Sequence, residues 1–99
     1  MKALNSSQRK RLRKLAHHLD PILQVGKNGV SDSFLQAVDA ALDSHELIKI
    51  RFLALKAEKR DLAREISRRT KCETAGLIGH TLILYRQQQD PEKRRIRLG

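Results

Sequence analysis

Leu12, Leu15, Ala16 and Leu19 recur at the i, i+3, i+4, i+7 spacing of one apolar helical stripe, which predicts a first helix from Ser6 or Ser7 up to Asp20-Pro21. Proline disfavours a helical residue before it, so the helix should stop there. Ile22 to Val25 then reads as a short strand. Phe34, Leu35, Val38, Ala41 and Leu42 return at helical spacing and predict a second helix over Ser31 to Ser44, with Asp32, Asp39 and Asp43 outside the stripe. His45-Glu46 opens a second strand, expected over Leu47 to Leu53, because Ile48, Ile50 and Phe52 alternate with Lys49 and Arg51. Ala54 to Ala57 is a loop, and Leu62, Ala63 and Ile66 place a third helix over Glu58 to Lys71. Two further strands, Cys72 to Ile78 and Thr81 to Arg86, are joined at Gly79-His80, where a glycine suits a primed hairpin turn. Leu82 to Tyr85 is apolar on both faces and should be central.

The order α-β-α-β-α-β-β, with crossovers through the second and third helices, implies an α/β fold of the two-layer α+β kind. Its mixed four-stranded sheet should close with an antiparallel hairpin. One domain is expected over residues 1–99, with a globular body over about residues 4–88. Residues 89–99 form a basic tail expected to be loosely held alone and ordered on binding.

Between the first strand and the second helix stands Gly26-Lys27-Asn28-Gly29. Glycine tolerates turn conformations and lets a ligand approach the peptide groups, Lys27 adds charge, and Asn28 adds an amide suited to turns. Ser31 can cap the following helix, whose unpaired N–H groups and positive dipole end favour an anion. The spacing alone is weak, since Gly76-Leu77-Ile78-Gly79 repeats it; there the central residues are apolar and a strand surrounds them, so it punctuates strand and turn. A plain strand-to-helix turn remains the alternative for Gly26 to Gly29.

Charge alters the picture. Lys and Arg number 21 against 11 Asp and Glu, giving +10, an imbalance that asks for a polyanionic partner. Arg9, Lys10, Arg11, Arg13 and Lys14 crowd one face of the first helix without interleaved acids, so that face is read as phosphate-facing, with a solvated surface as the alternative. Lys49 and Arg51 offer weaker contacts on the second strand. The third helix mixes Lys59, Arg60, Arg64, Arg68 and Arg69 with Glu58, Asp61 and Glu65, so salt-bridged surface is at least as good a reading there. No apolar run is long enough to span a membrane and the basic N-terminus lacks a signal-peptide core. The lone Cys72 makes no internal disulfide. A cytoplasmic monomer is expected.

With these residues placed, the chain resembles the CRM domain (chloroplast RNA splicing and ribosome maturation) in its bacterial single-domain YhbY-type form. The resemblance rests on Leu15-Ala16-His17-His18-Leu19 before Pro21, on Val25 to Val30, on His45 to Ile50, and on Ile78 to Arg86. It implies a fold similar to the C-terminal domain of translation initiation factor three. It also implies a G-x-x-G loop used as in KH domains, where that loop clamps a nucleic-acid backbone, a function that falls here on Gly26, Lys27, Asn28 and Gly29. Bacterial members are regarded as assembly factors associated with precursors of the large ribosomal subunit. His80 stands where a lysine is common.

Other chemistry finds little support. Adjacent His17 and His18 diverge on a helix and do not make an i, i+4 metal pair; His45 and His80 are read as capping or exposed, with His80 able to touch RNA. No P-loop, nucleophile motif or catalytic pair is present, so neither a cofactor nor a small-molecule substrate is expected. Tyr85 ends an apolar strand and should be buried more than it serves base stacking. The leading expectation is an RNA-binding protein that docks on ribosomal RNA of the assembling large subunit. The rivals are a DNA-binding nucleoid-type protein and an adaptor that sets its basic helix against an acidic protein.

Overall fold

A computed structural model describes residues 3–98; Met1, Lys2 and Gly99, the ends of the expected lead and tail, lie outside the described residues. The order is α1 (Ser6–Ala16), β1 (Leu23–Val25), α2 (Asp32–His45), β2 (Leu47–Phe52), a 3-10 turn (Lys56–Glu58), α3 (Lys59–Thr70), β3 (Glu73–Ile78), β4 (Thr81–Tyr85) and a second 3-10 turn (Pro91–Lys93). The strands lie in the order β1-β2-β4-β3. β1 and β2 are parallel and the other pairings antiparallel, so the expected mixed sheet and the central position of β4 are both found. Between β3 and β4 the turn has positive φ at Gly79 alone, as a type II′ turn requires.

Strand alternation divides the interior in two. Val25, Ile48, Ile50, Phe52, Leu82 and Leu84 pack with Leu35, Val38 and Leu42 of α2 and with Ala63 and Ile66 of α3. On the other face, Leu47, Ala75, Ile83 and Tyr85 pack with Leu12 and Ala16 of α1. The sheet with α2 and α3 makes the expected two layers, and α1 covers part of the opposite face as a third. Tyr85 is buried there and presents no ring to a ligand.

Most element ends shift by a single residue from expectation, and two differences change what is buried. α1 begins with a capping box, in which Asn5 Oδ1 accepts from the Gln8 N–H at 2.8 Å and Gln8 Oε1 from the Asn5 N–H at 3.0 Å. It ends at Ala16 rather than near Asp20, so only Leu12 and Ala16, one turn apart, reach the sheet; Leu15 and Leu19 are 40% and 39% exposed. His45 and Glu46 do not open β2. His45 closes α2, and Glu46 reverses the chain at φ +61.

The tail also departs from expectation. Ile96 and Leu98 pack against the second core, and the buried Glu46 carboxylate accepts hydrogen bonds from the Gln88, Arg95 and Ile96 N–H groups. A carboxylate at a chain reversal supplies the acceptors that a polar tail otherwise finds in water.

Candidate nucleic-acid interface

β1 is three residues long because Val25 is the last residue that can bury its side chain against Phe52; beyond it the chain turns. The Gly29 N–H donates to the Gly26 carbonyl at 3.0 Å, closing a β-turn with Lys27 and Asn28 at its two central positions. Neither has a positive φ, whereas Gly29 sits at φ +68, the type I pattern with glycine in its favoured last place. The expected conformational need for glycine therefore holds at Gly29 and not at Gly26. A Cβ on Gly26 would meet nothing within 4 Å, while one on Gly29 would stand 3.3 Å from Leu55 Cδ1. Gly29→Ala should lower stability by about 1–2 kcal/mol, the strain of a left-handed residue, and Gly26→Ala should leave the melting temperature unchanged; thermal melting monitored by circular dichroism distinguishes the two.

The turn delivers the chain to α2. Ser31 Oγ caps it, accepting from the Phe34 N–H at 3.1 Å, and lies 3.1 Å from Ser33 Oγ. Backbone N–H groups of Lys27, Asn28, Asp32 and Ser33 make no hydrogen bond to the described residues, which leaves a cluster of donors at the positive end of a helix dipole. Gln24, the four turn residues, Ser31, Ser33 and Phe34 enclose an open groove of about 590 Å³. Such a cluster suits an anion with several oxygen acceptors.

The remaining cations fall into three settings. Lys10 and Lys14 project from α1 into solvent, whereas Arg9 turns back to its own helix start, donating to the Leu4 carbonyl at 2.6 Å and to Ser6 Oγ at 3.3 Å. Arg13 is half-buried: its stem lies over Gly76, and its guanidinium donates to the Ala75 carbonyl at 3.0 Å. Lys49 and Arg51 occupy the sheet face that α1 leaves partly open. Lys49 Nζ donates to the Leu19 carbonyl at 3.0 Å, and Arg51 is exposed. Arg13, His17, Lys49, Ile78, Thr81 and Ile83 line a smaller groove of about 190 Å³ on that face. His80, exposed in the β3–β4 turn, has its Nδ1 3.4 Å from Lys59 Nζ. Desolvation, followed by repulsion from Lys59, Lys56 and Arg51, pulls its pKa below the ordinary histidine value, so it is neutral at neutral pH.

The structure thus gathers Gly26 to Gly29, Ser31, Arg51 and His80 at one end of the sheet, and sets Lys10 and Lys14 apart on α1. It adds Lys56, in the loop after β2, and Lys59, on the mixed face of α3. The strand register that brings them there has no local signature. At the opposite end, a larger cleft of about 820 Å³ is lined by the Arg86 guanidinium, which donates to Asp39, Asp43 and the Thr70 carbonyl. Partial burial opposes its charge, but the hydrogen bonds to Asp39 and Asp43 outweigh this and raise its pKa. That cleft is a fastening between α2, α3 and β4.

His17 and His18 meet edge to face, ring centroids 5.6 Å apart. Among the described residues no group of three His, Cys, Asp or Glu is placed to hold a metal ion, and no helix is long and apolar enough to cross a membrane. Burial pushes the Cys72 thiol pKa up, against smaller opposing effects from its hydrogen bonds to Thr70 and Ser67; the thiol is a packing group.

Fold and turn together define a small α/β protein with an anion-receptive loop at one end of its sheet. The chain belongs to the CRS1/YhbY (CRM) domain family, whose model matches residues 4–86. It is 37% identical to a Haemophilus influenzae protein named RNA-binding protein, over 91% of this chain and 92% of the relative. It is 36% identical to a Bacillus subtilis protein named probable RNA-binding protein YqeI, over 88% of this chain and 92% of that one. The solution structure of a hypothetical protein from Staphylococcus aureus superposes with a TM-score of 0.79 at 33% identity, covering 95% of this chain and 99% of that one.

Proposed function

We propose that this protein is a cytoplasmic, non-enzymatic RNA-binding protein that docks on ribosomal RNA of the assembling large subunit and assists its maturation. The observation that carries the reading is the Gly26–Gly29 turn, which presents unpaired N–H donors, Lys27 and a helix N-terminus to one open groove. The names of the relatives support RNA as the polyanion, and the resemblance to bacterial members associated with large-subunit precursors supports the ribosomal target. In mechanism, the turn seats one phosphodiester segment against its N–H groups. Lys10, Lys14 and Arg51 extend the contact electrostatically, together with the donors that Arg9, Arg13 and Lys49 keep beyond their internal bonds. Phosphate and RNA shape dominate over base edges in such a contact.

Two measurements test it. If about five phosphates of a single strand are neutralised, log affinity should fall against log salt with a slope near −3.5; a slope near zero removes the electrostatic mechanism. In a sucrose gradient of cell lysate, the tagged protein should travel with large-subunit particles, and the folded Lys27→Glu/Asn28→Asp variant should stay at the top. Failure of the wild type to co-sediment rejects the ribosomal assignment. Equal affinity for duplex DNA and structured RNA would favour a nucleoid role instead. Gly26→Ala probes close approach: stability is unchanged but affinity falls if the RNA backbone packs against that residue.

A further inference from the structure

Three loops meet at the end of the sheet that carries the Gly26–Gly29 turn. Val25 pairs with Phe52 and Arg51 with Thr81, so the chain leaving β2 emerges beside the turn, with the β3–β4 turn at the same level. Backbone bonds fasten them together: the Leu53 and Ala54 N–H groups both donate to the Val25 carbonyl, at 3.0 and 3.1 Å, and the Phe52 N–H donates to the His80 carbonyl at 2.8 Å. Lys59 Nζ donates to the Gly79 carbonyl.

Leu55 is anomalous there. Its backbone is left-handed, φ +54 and ψ 36, a conformation that strains any residue with a Cβ and is eased by glycine or asparagine. Its side chain is 36% exposed and its Cδ1 lies against Gly29. Leu53, 52% exposed, stands two residues before it in the same loop. Glycine or asparagine would suit the Leu55 backbone better, and a polar residue would suit the exposure of Leu53. Around the apolar surface stand Arg51, Lys56 and Lys59, with Glu58 the one acid between Arg51 and Lys59. Two of the chain's three aromatic rings, Phe52 and Tyr85, are buried and the third, Phe34, lines the groove of the turn; the apolar side chains that the loop after β2 adds beside it are aliphatic.

We propose that this edge is the second half of the RNA site and that its ligand is single-stranded RNA. An unstacked base beside the phosphate held by the turn lies on Leu55, Leu53 extends that floor, and Lys56 and Lys59 take the following phosphates. Duplex RNA keeps its base faces stacked and cannot use the floor. The proposal rests on the RNA reading of the turn.

The test is fluorescence anisotropy of the full chain with a single-stranded uridine oligonucleotide and with a blunt-ended RNA duplex of equal phosphate number, beside thermal melting. Leu55→Asn should hold or raise the melting temperature, weaken single-strand binding about fivefold, and leave duplex binding unchanged, since removing an apolar contact affects only a ligand that covers it. Lys56→Gln with Lys59→Gln should reduce the single-strand salt slope by about 1.4, two phosphates at about 0.7 each. A lower melting temperature with unchanged affinity for Leu55→Asn, repeated for Leu55→Gly, makes the leucine a packing residue and overturns the proposal. So does equal weakening toward both RNAs. If Lys27→Glu/Asn28→Asp abolishes binding while the Leu55 variants bind as wild type, this inference alone fails. If that loop variant binds normally, the reading of the turn fails instead.

Discussion

Replacing Lys27 with glutamate and Asn28 with aspartate is expected to weaken RNA binding about a hundredfold and to shift the melting temperature by less than about 2 °C. Both residues are exposed at the centre of a hydrogen-bonded turn, and neither side chain makes a hydrogen bond within the described residues, so the fold loses nothing with them. The local charge falls by three, from +1 to −1 at residue 27 and from 0 to −1 at residue 28. Each unit charge about 5 Å from a phosphate in water is worth roughly 0.8 kcal/mol, and three such changes amount to about two orders of magnitude in affinity. The loss should shrink as salt rises, because exposed charges are screened. Filter binding with a ribosomal RNA fragment at two salt concentrations measures both effects. Undiminished binding would move the primary contact to Lys10 and Lys14 on α1 and reduce the turn to a connection.

Glu46→Ala should be the most destabilising single change considered, at about 3 kcal/mol. Glu46 is 2% exposed and its carboxylate is the acceptor for Gln88, Arg95 and Ile96 N–H groups. Hydrogen bonds to a charged acceptor contribute roughly 1.5–3 kcal/mol each, but a released tail regains water, so the sum of all three overstates the loss. Detachment also uncovers the part of the second core where Ile96 and Leu98 pack. For a domain of this size, about 3 kcal/mol corresponds to a drop in melting temperature of roughly 15 °C. Limited trypsin digestion should then cut early at Arg94 and Arg95. Glu46→Gln keeps one acceptor oxygen and should lose about half as much. A variant that melts within about 2 °C of wild type, with the tail still resistant, would show that packing alone holds residues 89–98.

Glu46, Arg86 and the tail close the end of the sheet where β2 begins, and the turn, Leu55 and His80 occupy the end where it finishes. On the proposed function, binding is separated from the fastenings of the core, so that strain at Leu55 and crowded cations around His80 do not loosen it.

With the mixed sheet following from the handedness of the crossovers, hydrophobic patterning was enough to place the helices and strands in order, and the run Leu82–Tyr85, apolar on both faces, to put β4 at the centre, because each pattern is set by burial of its own residues. The turn was legible for the same reason: glycine at its last position and serine at the cap are local chemical requirements, met within a few residues. What the tertiary structure decided depends on partners distant in sequence. Leu15 and Leu19 fit a helical stripe, yet the sheet reaches only Leu12 and Ala16. Arg13 looked like a free cation until Gly76 made room for its stem and the Ala75 carbonyl for its guanidinium. Glu46 became the anchor of a tail some fifty residues further on, and Leu55, Lys56 and Lys59 came to the end of the sheet that carries the turn only through the pairing of Val25 with Phe52 and Arg51 with Thr81. A sequence fixes which residues seek burial or charge. Strand register fixes which of them meet, because side chains alternate between faces and a shift of one residue would exchange every neighbour.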